Sequence, residues 1–252
     1  MKKGLLMVAL LLMPVNALAE TIRVAAAADL VYAMREIVSL WKAQGGSEVK
    51  ISLGSSGNFY RQIEHGAPFD LFFSASADYI NRLGTKVCRR APYASGRLVL
   101  FVPVGSPIKP TDSLQYFASE LAQHQAWKFA IANPEHAPYG MVAKETLQSE
   151  QVWDQFNGHL VLGENAAQAA QFAISGSTVG GLIPLSIAIS DAFRKKGAYR
   201  LIDQKKHVQL KQEMGLLTCQ HTEAKRFFDF MSMPQVRKVL HTYGFQLPEM
   251  RP

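Results

Sequence analysis

The sequence predicts an α/β protein of two lobes, each a mainly parallel sheet with helices on its faces. Three observations carry this. Short apolar runs of strand length alternate with amphipathic runs of helix length along most of the chain. The alternation halts near Ala94-Ser95-Gly96 and then restarts, which marks a boundary between two units of similar size. The length of 252 residues suits one large domain or two small ones, at roughly 150 residues per domain. With 48% hydrophobic and 19% charged residues, the chain has material for a packed core. That balance excludes a disordered or collagen-like chain.

Residues 1–19 are read as a signal peptide and set aside. Lys2 and Lys3 give a positive start, Leu5 to Met13 an apolar run, and Ala17-Leu18-Ala19 a small-x-small cleavage site. The run falls short of the ~18 apolar residues a spanning helix needs. No cysteine follows the site to carry a lipid. Cleavage after Ala19 removes 19 residues and two of the seven net positive charges. It leaves a 233-residue chain of charge +5 that begins at Glu20 and is expected to be soluble and exported.

The elements follow in order. Ile22 to Ala28 reads as a strand. A helix follows over about Leu30 to Gln44, with Met34, Ile37, Val38 and Trp41 on one face. Val49 to Leu53 is a second strand. Asn58 to Glu64 is a short helix ended by Gly66-Ala67-Pro68. Phe69 to Ser74 is apolar enough to be a strand buried on both faces. Beyond the boundary, strands are expected at Leu98 to Val104, Phe129 to Ala132, Leu160 to Leu162 and Val179 to Ile183. Helices are expected at Gly140 to Gln148, at Ala166 to Ile174, and from after Ile183 through Phe193. Gly197 to His207 reads as polar and turn-like. Leu210 to Leu217 is a last strand, and helices over about Glu223 to Met231 and Gln235 to Tyr243 close the chain.

Three strand-to-helix junctions stand out, because a helix start exposes unpaired N–H groups and attracts anions. In the first, Ala26-Ala27-Ala28-Asp29-Leu30, Asp29 sits where a helix N-cap belongs. In the second, Gly54-Ser55-Ser56-Gly57-Asn58, two glycines permit a tight turn and two hydroxyls add donors. This segment lacks the lysine and spacing of a P-loop and is not a nucleophile elbow. The third is Asn133-Pro134-Glu135-His136-Ala137-Pro138-Tyr139-Gly140, a proline-stiffened loop with a phenol. Its Glu135 and His136 read as a surface pair.

Other chemistries find no support. The seven histidines are scattered with no metal-ligand spacing, and the cysteines form no Cys-x-x-Cys. Cys88 and Cys219 are a candidate disulfide, though their separation in space is not fixed by sequence. Asp70 and Asp78 are unpaired as acid and base. Lys225-Arg226 and Arg237-Lys238 lie on helical faces as solvated charges rather than a nucleic-acid patch.

Taken together, these stretches resemble the periplasmic molybdate-binding proteins of ABC importers. The matching residues are Val24-Ala25-Ala26-Ala27-Ala28-Asp29-Leu30, Gly54-Ser55-Ser56-Gly57-Asn58 and Arg61-Gln62-Ile63 followed by Gly66-Ala67-Pro68-Phe69-Asp70-Leu71-Phe72. Asn133 through Gly140 and Tyr243-Gly244-Phe245 complete the set, in family order across the mature chain. The resemblance implies a two-lobed periplasmic binding protein of type II, with its ligand in the cleft. It implies a discontinuous first lobe, placed at 20–96 plus 209–252, and a second at 97–208. Carried over by position, the oxyanion contacts are Ala28 or Asp29, Ser56, Tyr139 and Ala166. It further implies molybdate or tungstate as ligand, held without cofactor or metal cation, and no catalysis. The expected setting is the periplasm, as a monomer that docks to an ABC permease in the inner membrane.

Two positions depart from the family. Many relatives carry a hydroxyl or amide where this chain has Asp29. A carboxylate ~4 Å from an anion costs roughly 1–4 kcal/mol per charge pair. Asp29 is therefore expected to turn its carboxylate back as an N-cap and offer only its N–H. Pro184 stands where one branch has a ligand tyrosine, so Tyr139 is expected to take that role. Two other readings remain: a receptor for phosphate or sulfate, and a secreted serine hydrolase. The latter needs a base within reach of Ser55 or Ser56, and the sequence places none.

Overall fold

The computed structural model describes residues 20–249; the signal-peptide reading of 1–19 lies outside the described residues. The first half of the chain forms β1 (Ile22–Ala27), α1 (Val31–Ala43), β2 (Val49–Gly54), α2 (Ser56–Glu64), β3 (Leu71–Ser74), α3 (Ala77–Leu83), β4 (Arg89–Ser95), β5 (Leu98–Pro103) and α4 (Leu114–Gln123). It continues through β6 (Phe129–Ala132), α5 (Pro138–Ser149), α6 (Trp153–Asn157), β7 (Leu160–Gly163), α7 (Ala166–Ile174), β8 (Gly180–Pro184), α8 (Leu185–Ala188) and β9 (Gly197–Leu201). The chain closes with β10 (Lys211–Leu216), α9 (Thr222–Phe230) and α10 (Pro234–Thr242).

The strands form two sheets of five, in the orders β2-β1-β3-β10-β4 and β7-β6-β8-β5-β9. In the first, β1 runs parallel to β2 and β3, and β10 runs antiparallel between β3 and β4. In the second, β6 runs parallel to β7 and β8, and β5 runs antiparallel between β8 and β9. The two sheets thus repeat one plan. The reversed strand, β10 or β5, is in each case the one beside a chain crossing. The crossings touch: the Gly96 N–H donates to the Leu210 carbonyl at 2.9 Å.

Burial follows the apolar pattern. All four residues of β3 are buried, as its unbroken apolar run requires. Helix α1 buries Ala33, Met34, Ile37 and Trp41, while Val38 is half-buried at the edge of that face. Trp41 packs between Phe227 and Phe230 of α9, and its indole N–H donates to the Ser47 carbonyl at 2.9 Å. Cys88 and Cys219 are joined in a disulfide, with Cα atoms 5.7 Å apart, beside the Arg89 and Leu216 ends of β4 and β10. No helix among the described residues is long and apolar enough to cross a membrane.

The structure corrects several sequence expectations. Gly197 to His207 is not simply a turn, because Gly197–Leu201 is a strand paired with β5. It is a sheet edge, with Tyr199 and Leu201 exposed, so its pattern carries little apolar signal. Strand β4 also went unread, since Arg89 and Arg90 mask its start. The helix expected through Phe193 ends at Ala188 and continues as turns.

Candidate functional site

The site begins with how the helix starts are capped. Ser55 caps α2 by accepting from the Asn58 N–H at 3.4 Å. The Ser56 hydroxyl accepts from the Ala75 N–H at 2.9 Å, which leaves its own proton to donate elsewhere. Asn165 caps α7 by accepting from Ala167 and Gln168, both at 3.0 Å. The Ala166 N–H is left outside that cap. Helix α5 starts with Pro138 and has no side-chain cap; the Gly140 and Met141 N–H groups donate to the Ala137 carbonyl, which leaves the Tyr139 N–H as the first-turn donor outside the helix bonds.

These starts converge. Ala28, Asp29, Ser56, Tyr139 and Ala166 line one cavity, together with Ala27, Gly54, Ser55, Ala75, Ala137 and Pro138. The lining comes from both sheets' connections, beyond the carboxyl ends of β1, β2, β3, β6 and β7, where α/β sheets hold ligands. Its cavity volume of about 10 Å³ lies far below the roughly 300–1,000 Å³ of a drug-sized pocket. Among the described residues, Asp29 is the one charged member of the lining, and no lysine or arginine lines it. Pro184 is absent from the lining and caps α8 instead.

Asp29 does not do what the sequence suggested. Ala28–Leu30 is a 3-10 turn, and neither it nor α1 has a side-chain cap. The Asp29 carboxylate is buried, and its Oδ2 accepts from Gln212 Nε2 at 2.6 Å. Its Oδ1 has no hydrogen-bond partner. Burial raises the Asp29 pKa to about 6 against the pull of Gln212, of the Tyr139 hydroxyl and of nearby backbone N–H groups. The Tyr139 and Tyr93 phenols are pushed well above their usual range by burial and by the charge of Asp29.

Sequence reasoning missed a bridge at the cavity's rim. His136 is buried rather than paired with Glu135 at the surface. Its Nδ1 is hydrogen-bonded to Ser55 Oγ at 2.8 Å, and its Nε2 lies 3.5 Å from Glu164 Oε2. Asn58 Nδ2 donates to Glu164, and the Gly57 N–H donates to the His136 carbonyl at 2.9 Å. A Cβ on Gly57 would lie 2.5 Å from that carbonyl, so the second glycine of the loop is there for close approach. A base thus does stand within reach of Ser55. However, Ser55 is already tied as a helix cap. His136 and Glu164 belong to connections of the other sheet, so the row spans the cleft. Gln212 was also missed: it stands between Lys211 and Glu213 at the start of β10, and that polar stretch gives no sign that its amide is buried.

Chemically, the cavity offers neutral donors to a small ligand and sets one carboxylate beside it. Residues 22–246 match the family model for bacterial extracellular solute-binding proteins. The chain belongs to this family. The solute-binding protein is 31% identical to the molybdate-binding protein ModA of Rhodobacter capsulatus, over 88% of this chain and 86% of that one. It is 32% identical to the Escherichia coli ModA, over 92% of each. Its fold superposes on the periplasmic molybdate-binding protein of Azotobacter vinelandii with a TM-score of 0.80 and 26% identity, covering 90% of this chain and all of the other. The two sheets are therefore the two lobes of a type II solute-binding fold, and the protein acts outside the cytoplasm.

Proposed function

We propose that this protein captures molybdate or tungstate in the cleft between its lobes and delivers it to an ABC permease in the inner membrane. One observation carries the reading. A small cavity is lined by the starts of α2, α5 and α7, supplied by both lobes, with no cation among the described residues of its walls. A fully ionised oxyanion needs donors only, and helix-start N–H groups supply them without burying a lysine or arginine. In this reading Ser56 gives N–H and O–H, and Ala166 and Ala28 give N–H groups. Tyr139 gives its N–H and, with Asp29, forms the wall beneath the ligand. The lobes are assigned as 20–96 with 209–252, and 97–208; the division of the strands between the two sheets supports this assignment. The lobes close on ligand by hinge motion, the protein works as a periplasmic monomer after cleavage at Ala19, and it carries out no turnover.

The test is a thermal-shift and calorimetric titration with molybdate, tungstate, sulfate and phosphate. A ligand that binds only the folded state raises its melting temperature by mass action. Molybdate and tungstate are expected to do so at micromolar levels or below. A response to sulfate or phosphate alone refutes the reading. Asp29 favours one competitor, a receptor for hydrogen phosphate, because an ionised carboxylate accepts that ligand's proton; the same titration separates the two.

A further inference from the structure

We infer that the site takes up one proton together with its dianion, and that Asp29 carries this proton as a neutral carboxylic acid donating from Oδ1 to a ligand oxygen. The inference rests on the oxyanion reading above and names Asp29 as a determinant of which charge state is bound.

The geometry sets the problem. Asp29 is 1% exposed and, among the described residues, is the one charged member of the lining. Its Oδ2 is engaged by Gln212, while Oδ1 has no partner and is the oxygen left for a ligand. An ionised carboxylate can only accept hydrogen bonds, and so can a fully ionised tetrahedral oxyanion. Two acceptors of like charge would then face each other in a small cavity, with no cation among the described residues of its wall. One proton removes both conflicts. It neutralises Asp29 and turns Oδ1 into a donor, so the wall no longer sets an acceptor against the ligand. The overall event is association of the ionised protein, the dianion and one proton drawn from solvent; no covalent bond forms or breaks.

The surroundings leave Asp29 free to respond. Helix α5 presents the Tyr139 phenol and β4 the Tyr93 phenol, both neutral at physiological pH. Strand β10 presents the uncharged amide of Gln212, and α8 gives the Ser186 hydroxyl to the Asp29 carbonyl at 2.8 Å. His136 stands behind the lining on Ser55 and is paired with Glu164. Before any ligand arrives, burial already brings Asp29 to about 6. A neighbouring dianion pushes it further up, through neutral pH.

The test is molybdate calorimetry on the full mature protein in buffers of different ionisation enthalpy near pH 7.5, which counts protons taken up per ligand. For the wild type the expected count is about one. The dissociation constant should weaken by about tenfold per pH unit above neutrality, the slope of a single linked proton. In Asp29→Asn the count falls to about zero and affinity becomes flat with pH. Wild-type binding with no proton uptake and a flat pH profile overturns the inference while leaving the oxyanion reading intact. Uptake that persists in Asp29→Asn also overturns it. If Asp29→Asn fails to fold, the wild-type count and slope still decide. No molybdate binding by the wild type at any pH overturns the oxyanion reading, and the inference with it.

Discussion

Gly96 is where a single methyl group should cost the most function for the least change. It lies between β4 and β5, at the first crossing, with its N–H bonded to Leu210 at the second. A Cβ built on it would sit 2.8 Å from Gln212 Nε2 and well inside van der Waals contact with the Tyr139 hydroxyl. Tyr139 comes from α5 of the second lobe and Gln212 from β10 of the first, so Gly96→Ala wedges the closed cleft at its floor. Overpacking of this kind costs about 1–3 kcal/mol. Displacing Gln212 also disturbs its 2.6 Å bond to Asp29. Charged to ligand binding, the same range is roughly a 5–150-fold weaker dissociation constant. The assay is calorimetric titration with molybdate, with circular dichroism to confirm the fold. In the double variant Gly96→Ala/Tyr139→Phe, the hydroxyl that clashes is gone. The added loss relative to Tyr139→Phe should therefore shrink, as expected for coupled neighbours. Affinity for Gly96→Ala within about twofold of wild type would refute the reasoning.

Three further outcomes are expected. Ser56→Ala removes both a cavity donor and the acceptor of the buried Ala75 N–H; it should lower stability by about 1–3 kcal/mol and weaken molybdate binding, and unchanged melting and affinity would contradict the site. Reducing the Cys88–Cys219 bond frees a loop of 131 residues, for which chain entropy alone gives about 5 kcal/mol. Melting temperature should drop by several degrees while molybdate affinity holds, since the bond lies at the end of the sheet away from the cavity; a loss of affinity without loss of stability would reverse that view. Asp70→Asn should destabilise the protein at neutral pH. Burial alone would raise the Asp70 pKa, but the Arg23 guanidinium and N–H and the Thr218 hydroxyl outweigh it and hold the carboxyl below its usual range. That stabilisation is present above the unfolded carboxylate pKa and is lost as pH falls through the folded value. The melting gap between variant and wild type should therefore close in acid, and a gap independent of pH would count against the pairing.

Much of this was readable from residue patterns, and the unread parts share a cause. Strand β3 announces itself because burial on both faces demands an unbroken apolar run. Helix α1 does so because one face must be apolar and the other wet. Strands β4 and β9 were lost because arginines and edge exposure break that signal. The lining residues Ser56, Tyr139 and Ala166 were legible because helix starts have a local grammar of caps, glycines and prolines. Asp29 was misread for the same reason. Locally it is a good cap, and only the distant Gln212, 183 positions along the chain, gives its carboxylate another partner. His136 and Glu164 were missed because their partners, Ser55 and Asn58, lie in the other lobe. Contacts made when two lobes meet leave no periodic trace in either segment.

The place of β10 in the first sheet bears on the order in which the molecule assembles. The second sheet draws all five strands from one continuous stretch, Leu98 to Leu201. The first cannot be completed until Lys211–Leu216 arrives to lie between β3 and β4. As the chain emerges from its N-terminus, β1, β2 and β3 are made early but wait more than a hundred residues for the strand that joins them to β4. Such distant pairing is slow to form and leaves strand edges open in the meantime. The lobe that begins the sequence is thus the last to finish, and the cavity between the lobes exists only after it does.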